Sequence, residues 1–128
     1  MRVFANKWFQ RFARKERINA AMLCEAIERA ERGLTDVDLG GGVIKQRVAR
    51  PGAGRSGGYR TIVFFRAGTR AVFAFGFAKS DRDNIDGDDV ARLKQAAKLT
   101  LGFSEADMDK LVATGDLMEV ACDGKDEG

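Results

Sequence analysis

A chain of 128 residues with 22 Lys and Arg against 19 Asp and Glu is long enough for one domain that buries about two-thirds of its unfolded surface, and nothing in it suggests a second core. It holds no histidine and two cysteines, so Ser-His and Cys-His nucleophile pairs are excluded and a zinc knuckle lacks its ligands. Cys24 and Cys122 have no close pairing and read as reduced thiols; MRVFANKWFQRF reads as amphipathic rather than as a charged lead followed by a long apolar run, no segment nears the roughly 18 apolar residues of a membrane span, and the expectation is a soluble cytoplasmic protein without a membrane partner.

Arg2 to Ala5 reads as a short strand, and the Asn6 side chain can cap a following helix. Trp8, Phe9 and Phe12 fall on one face of that helix, with Lys7, Arg11, Arg14 and Lys15 on much of the rest, the pattern of a core face backed by solvated charges. Asn19 can cap a second segment in which Met22, Leu23, Ala26, Ile27 and Ala30 repeat at helical spacing up to Gly33, although one long kinked helix fits nearly as well. Leu34 to Gly42 then turns the chain, ending in three glycines.

From Val43 to Lys79 the character changes. This stretch carries Lys45, Arg47, Arg50, Arg55, Arg60, Arg66, Arg70 and Lys79, and no Asp or Glu occurs from Leu39 to Ser80. Ile44 to Val48, Tyr59 to Arg66 and Arg70 to Phe77 are strands by their β-branched and aromatic content. Period-two alternation puts Lys45 and Arg47 on one face, against Ile44, Gln46 and Val48. It likewise sets Arg60, Ile62, Phe64 and Arg66 against Tyr59, which reads as a core residue, Thr61, Val63 and Phe65. In the last strand it sets Phe73, Phe75, Phe77 and Lys79 against Val72, Ala74, Gly76 and Ala78. Phe73 and Phe75 read as core, while Phe77, beside Lys79, is open to a base-stacking role.

The loop RPGAGRSGG contains a formal GxGxxG at Gly52, Gly54 and Gly57, but a strand follows where a dinucleotide motif needs a helix, so nucleotide-cofactor binding is rejected. Arg50 and Arg55 in that loop suit a basic finger on a phosphate backbone, and equally a hairpin tip kept soluble by arginine. Beyond Lys79 the chain is acidic, with 13 acidic and 6 basic residues from Ser80 onward. Asp86 or Asp88 should cap a helix with Val90, Leu93, Ala97 and Leu101 as its buried stripe. Ser104 with Asp107 should start another that carries Met108, Leu111 and Val112 and stops at Gly115. Leu117 to Val120 is a last turn or a short strand, followed by a frayed tail.

A sheet bearing unneutralised cations suits a polyanion, and nucleic acid is the commonest large one. The acids of the C-terminal third lack HExxH or DxDxDG spacing, so no metal site and no cofactor are implied. What remains is phosphate binding, with or without cation-assisted phosphoryl chemistry. On RNA the adjacent 2′-hydroxyl supplies the nucleophile.

The order of elements, IKQR, the GYR strand start and an apolar strand closing at Lys79 resemble the toxins of bacterial type II toxin-antitoxin modules of the RelE and HigB kind. GRSGGYR followed by FFR and FGFAKSDRDNI is similar to the cytoplasmic or phage-associated branch of RelE-like proteins, over roughly Arg2 to Ala97. The resemblance implies an α+β fold: a small antiparallel twisted sheet of about four strands backed by N-terminal helices, with a C-terminal helical segment. It implies a toxin domain over 1–103, with 104–128 as a helical extension and acidic tail of the same domain. It further implies a ribosome-dependent endoribonuclease that cuts mRNA in the A site and is silenced by an antitoxin, expected to be a small helix-turn-helix protein.

By the same resemblance Arg60 is the phosphate clamp, Lys45 or Lys79 the proton acceptor, and Arg47 or Arg82 the leaving-group stabiliser. Arg50, Arg55, Arg66 and Phe77 are the further RNA-binding candidates. A lysine base works only where neighbouring cations disfavour its protonated form. The chain departs from the family where the best-known members carry a C-terminal tyrosine, since it reads IDGDDV there, and this leaves the general base open. The competing readings are a non-catalytic relative with a gyrase-type target and a basic RNA-binding protein.

Overall fold

The computed structural model describes residues 1–49, 58–78 and 87–122, and their order is β1 (Arg2–Asn6), α1 (Lys7–Glu16), α2 (Ala20–Glu31), β2 (Val37–Gly40), β3 (Val43–Val48), β4 (Tyr59–Arg66), β5 (Arg70–Ala78), α3 (Gly87–Gly102), α4 (Glu105–Thr114) and β6 (Leu117–Val120). The six strands make one sheet in the order β2-β3-β4-β5-β1-β6. The fold is α+β, as the sequence implies, but the sheet is wider than four strands and not wholly antiparallel, because β1 pairs with β5 in parallel. The two added strands are the edges. β2 lies within the expected turn and pairs with β3, and β6 pairs antiparallel with β1.

The helix boundaries follow from their caps. Asn6 accepts from the Phe9 amide at 2.8 Å and Asn19 from the Met22 amide at 3.0 Å. Arg17, in the left-handed region at φ 60°, separates α1 from α2 as two helices rather than one kinked one. Ser104 and Asp107 form a reciprocal capping box, and Gly115 at φ 87° closes α4.

Strand alternation sends apolar side chains to both faces of the sheet, and each face has its own helix layer. Phe9, Leu23, Ala26 and Ile27 of α1 and α2 pack with Ile44, Val48, Tyr59, Val63 and Phe73 on one side. Ala97, Leu101 and Met108 of α3 and α4 pack with Phe4, Val43, Ile62, Phe64 and Val72 on the other. The C-terminal helices are thus a second layer. A Cβ at Gly42, which sits at φ 84°, would lie 2.7 Å from Leu101 Cδ1, so this glycine lets α3 close on the sheet.

Cys24 of α2 and Cys122, two residues past β6, form a disulfide. The expectation of two reduced thiols is therefore corrected. Their separation of 98 residues hides the pair, because only the β1–β6 pairing carries the chain end back over α2. No helix among the described residues is long and apolar enough to cross a membrane.

Candidate functional site

Sheet register shows which of the central cations meet. Arg47 of β3 stands directly opposite Arg60 of β4, and Arg60 opposite Phe77 of β5. The neighbouring row of the same face is Lys45, Ile62 and Phe75. Lys45, Arg47 and Arg60 are each half-buried. Ile62 belongs to the α3/α4 cluster, so these cations share that face of the sheet and lie toward the end where β3 and β5 finish.

Two like charges directly opposed on adjacent strands, with Cα atoms about 5 Å apart, destabilise a sheet. Among the described residues neither the Arg47 nor the Arg60 guanidinium meets a carboxylate. Arg60 Nε is buried and has no hydrogen-bond partner. The surroundings fix the backbone of this row and leave its charges alone. The Arg47 amide donates to Asp36 Oδ2 and the Arg47 carbonyl accepts from Arg29 Nη2. Behind it, buried Gln46 donates to the Ala26 and Leu34 carbonyls at 2.9 and 3.2 Å, and Thr61 donates to the Gln46 carbonyl at 2.7 Å. Such a row offers an anion two forked donors on a rigid base.

The other sequence candidates distribute differently. Arg66 lies six residues along β4 from Arg60, about 20 Å away, and donates to the Leu101 carbonyl at the end of α3 at 3.0 Å. Arg70 is buried, donates to the Thr100 carbonyl at 3.0 Å and pairs with Glu105 at 2.7 Å. Arg50, Arg55, Lys79 and Arg82 lie outside the described residues. Tyr59 is a core residue, as expected. Its hydroxyl donates to the Glu16 carbonyl at 3.2 Å, and it faces α1 rather than the cationic row.

The phenylalanine stripe is not what alternation implies. The β4–β5 register shifts between Ile62 and Val63, where Ile62 pairs with Phe75 and Val63 with Phe73, leaving Ala74 extra. This bulge sends Phe73 into the α1/α2 core and turns Phe75 and Phe77 to the cationic face. Phe77 is buried, while Phe75, expected in the core, is 39% exposed and lies 4.4 Å from the ring of Trp8. A bulge leaves no period-two signal in the sequence, so the outward turn of Phe75 toward Trp8 was not legible there.

The family model described as the RelE toxin of the RelE / RelB toxin-antitoxin system matches residues 1–120. The chain belongs to the RelE toxin family. No curated protein sequence matches it. RelE toxins of such systems pair with an antitoxin. The RelE match spans β6 and all four helices as well as the central strands.

Proposed function

We propose that this RelE toxin is a ribosome-dependent mRNA endoribonuclease of the cytoplasm, which binds the scissile phosphate on the Arg47–Arg60 row in the A site. The observation that carries the reading is the direct opposition of two arginines that no described carboxylate neutralises. A pair that weakens the sheet is readily understood when a phosphate supplies the missing negative charge. Arg60 clamps the phosphate, Lys45 or Lys79 takes the proton of the 2′-hydroxyl, and Arg47 or Arg82 steadies the leaving oxygen. The 2′-oxygen bonds to phosphorus as the bond to the 5′-oxygen breaks, which leaves a 2′,3′-cyclic phosphate and, after protonation, a 5′-hydroxyl. The antitoxin, a small helix-turn-helix protein in this reading, would cover or distort the cationic face.

Mapping of mRNA 5′ ends after induced expression tests the proposal. Codon-positioned cuts with 5′-hydroxyl ends are expected from the wild type, and Arg60→Ala should reduce them by at least about 100-fold. Growth arrest with intact messages would overturn it. One observation favours a second reading: the chain's only tyrosine is buried, so a catalyst of that type is not offered to a substrate. In that reading the same row holds nucleic acid without cutting it.

A further inference from the structure

We infer that Trp8 and Phe75 form a platform on which one unpaired base of the bound RNA stacks, beside the phosphate held by Arg47 and Arg60. The inference rests on the nucleic-acid reading of that row and adds a base-binding site to it. Trp8 is 37% and Phe75 39% exposed, yet the two rings lie 4.4 Å apart at an interplanar angle of 32°. Two neighbouring rings, half-buried Phe12 and buried Phe77, back them. Trp8 also stacks on Phe12 at 5.4 Å, and Phe75 lies 6.1 Å from Phe77.

The fold holds this surface in place. β1 accompanies β5 only as far as Phe73, and beyond it the Asn6 side chain donates to the Ala74 carbonyl at 3.1 Å. With no further strand pairing on that side among the described residues, the start of α1 comes around the edge of β5 and sets Trp8 against Phe75. Gly76 completes the support. A Cβ there would lie 2.6 Å from the Phe12 ring, so the absent side chain is what seats Phe12 beneath Trp8.

The surroundings favour a base over a protein partner's apolar helix. Phe75 is two residues from Phe77, which stands opposite Arg60, so the two positions are offset by about 7 Å along the strand on the same face. That is the reach from a phosphate to the base of an adjoining nucleotide. Arg11 and Lys15 are exposed and flank Trp8 on its own helix face at i+3 and i+7. Flat aromatic faces bordered by cations bind single-stranded nucleic acid through stacking on every kind of base.

Trp8 is the chain's only tryptophan, so its emission reports the platform directly. The full chain, freed of its antitoxin, is titrated with a short single-stranded oligoribonucleotide and with an abasic oligomer of equal phosphate number. The RNA should quench Trp8 emission and bind about 10-fold more tightly than the abasic oligomer, which should leave the emission unchanged. Phe75→Leu, and Phe75→Ala where it folds, should weaken RNA binding about 10-fold without altering abasic binding; Arg60→Ala should weaken both. RNA binding with unaltered Trp8 emission, or equal losses of RNA and abasic binding in Phe75→Leu, overturns the platform and leaves the phosphate site standing. Failure of both oligomers to bind the wild type overturns the nucleic-acid reading with it. If the antitoxin quenches Trp8 and the RNA does not, the surface is a protein contact and the inference fails.

Discussion

The two ends of the sheet treat arginine in opposite ways. At the end where β1 begins, Arg2 stands opposite Arg70 and Arg70 opposite Arg66, a crowding of charge as severe as that of Arg47 and Arg60. There it is resolved. Arg2 bonds Glu105, Asp109 and Glu119 at 2.7 to 2.9 Å, Glu105 bridges to Arg70 at 2.7 Å, and Arg66 and Arg70 donate to carbonyls at the end of α3. Arg70 Nε is left without a bond, as Arg60 Nε is, but both Arg70 terminal nitrogens are engaged. The disulfide of Cys122 closes the same end. Neutralised arginines fasten α3, α4 and β6 to the sheet, whereas the opposed arginines at the far end meet no carboxylate among the described residues.

The contrast can be broken from the tied end first. Replacing Cys24 and Cys122 by serine should lower stability by about 2–4 kcal/mol, because the bond closes a loop with a sequence separation of 98 residues. RNA affinity should be unchanged, and a combined denaturation and binding series checks both. Arg70→Met should follow at about 2 kcal/mol, from the loss of a buried donor to Thr100 and of the Glu105 bridge. A loss of toxicity in Arg70→Met without loss of stability would erase the distinction between the ends.

Acid sharpens it further. Arg2 holds the carboxyls of Glu105 and Glu119 below their ordinary value of 4.5, with Arg70 helping at Glu105. A lowered folded-state value means that these groups contribute stability above pH 4.5 and lose it as the pH falls through the lowered values. Stability of the wild type followed from neutral to acid pH should therefore drop below that point, and Arg2→Met should drop less. Arg60→Met should keep the wild-type slope, since no described carboxylate pairs with Arg60.

Much of the local structure was legible in the sequence, because caps and periodicity act over a few residues. Asn6, Asn19, Ser104 and Gly115 mark helix ends in the sequence and in the fold alike. The parity of β3 and β4 put Lys45, Arg47 and Arg60 where the register has them. What escaped depends on distant pairing. β2 is four residues long and largely exposed, so it carries no hydrophobic run, and β6 acquires its place from β1. The bulge at Ala74 inverted the parity of Phe75 and Phe77, and the cations of the central block looked alike until Glu105, far along the chain, claimed Arg70.

The smallest expected effect is the most telling, since it concerns sign. Equilibrium unfolding of Arg60→Met beside the wild type asks whether the open arginine serves the fold or a ligand. Relief of the repulsion with Arg47 should leave the variant as stable as the wild type or up to about 0.5 kcal/mol more so. A loss comparable to that of Arg70→Met would mean that Arg60 is another structural arginine, and the phosphate site would lose its foundation.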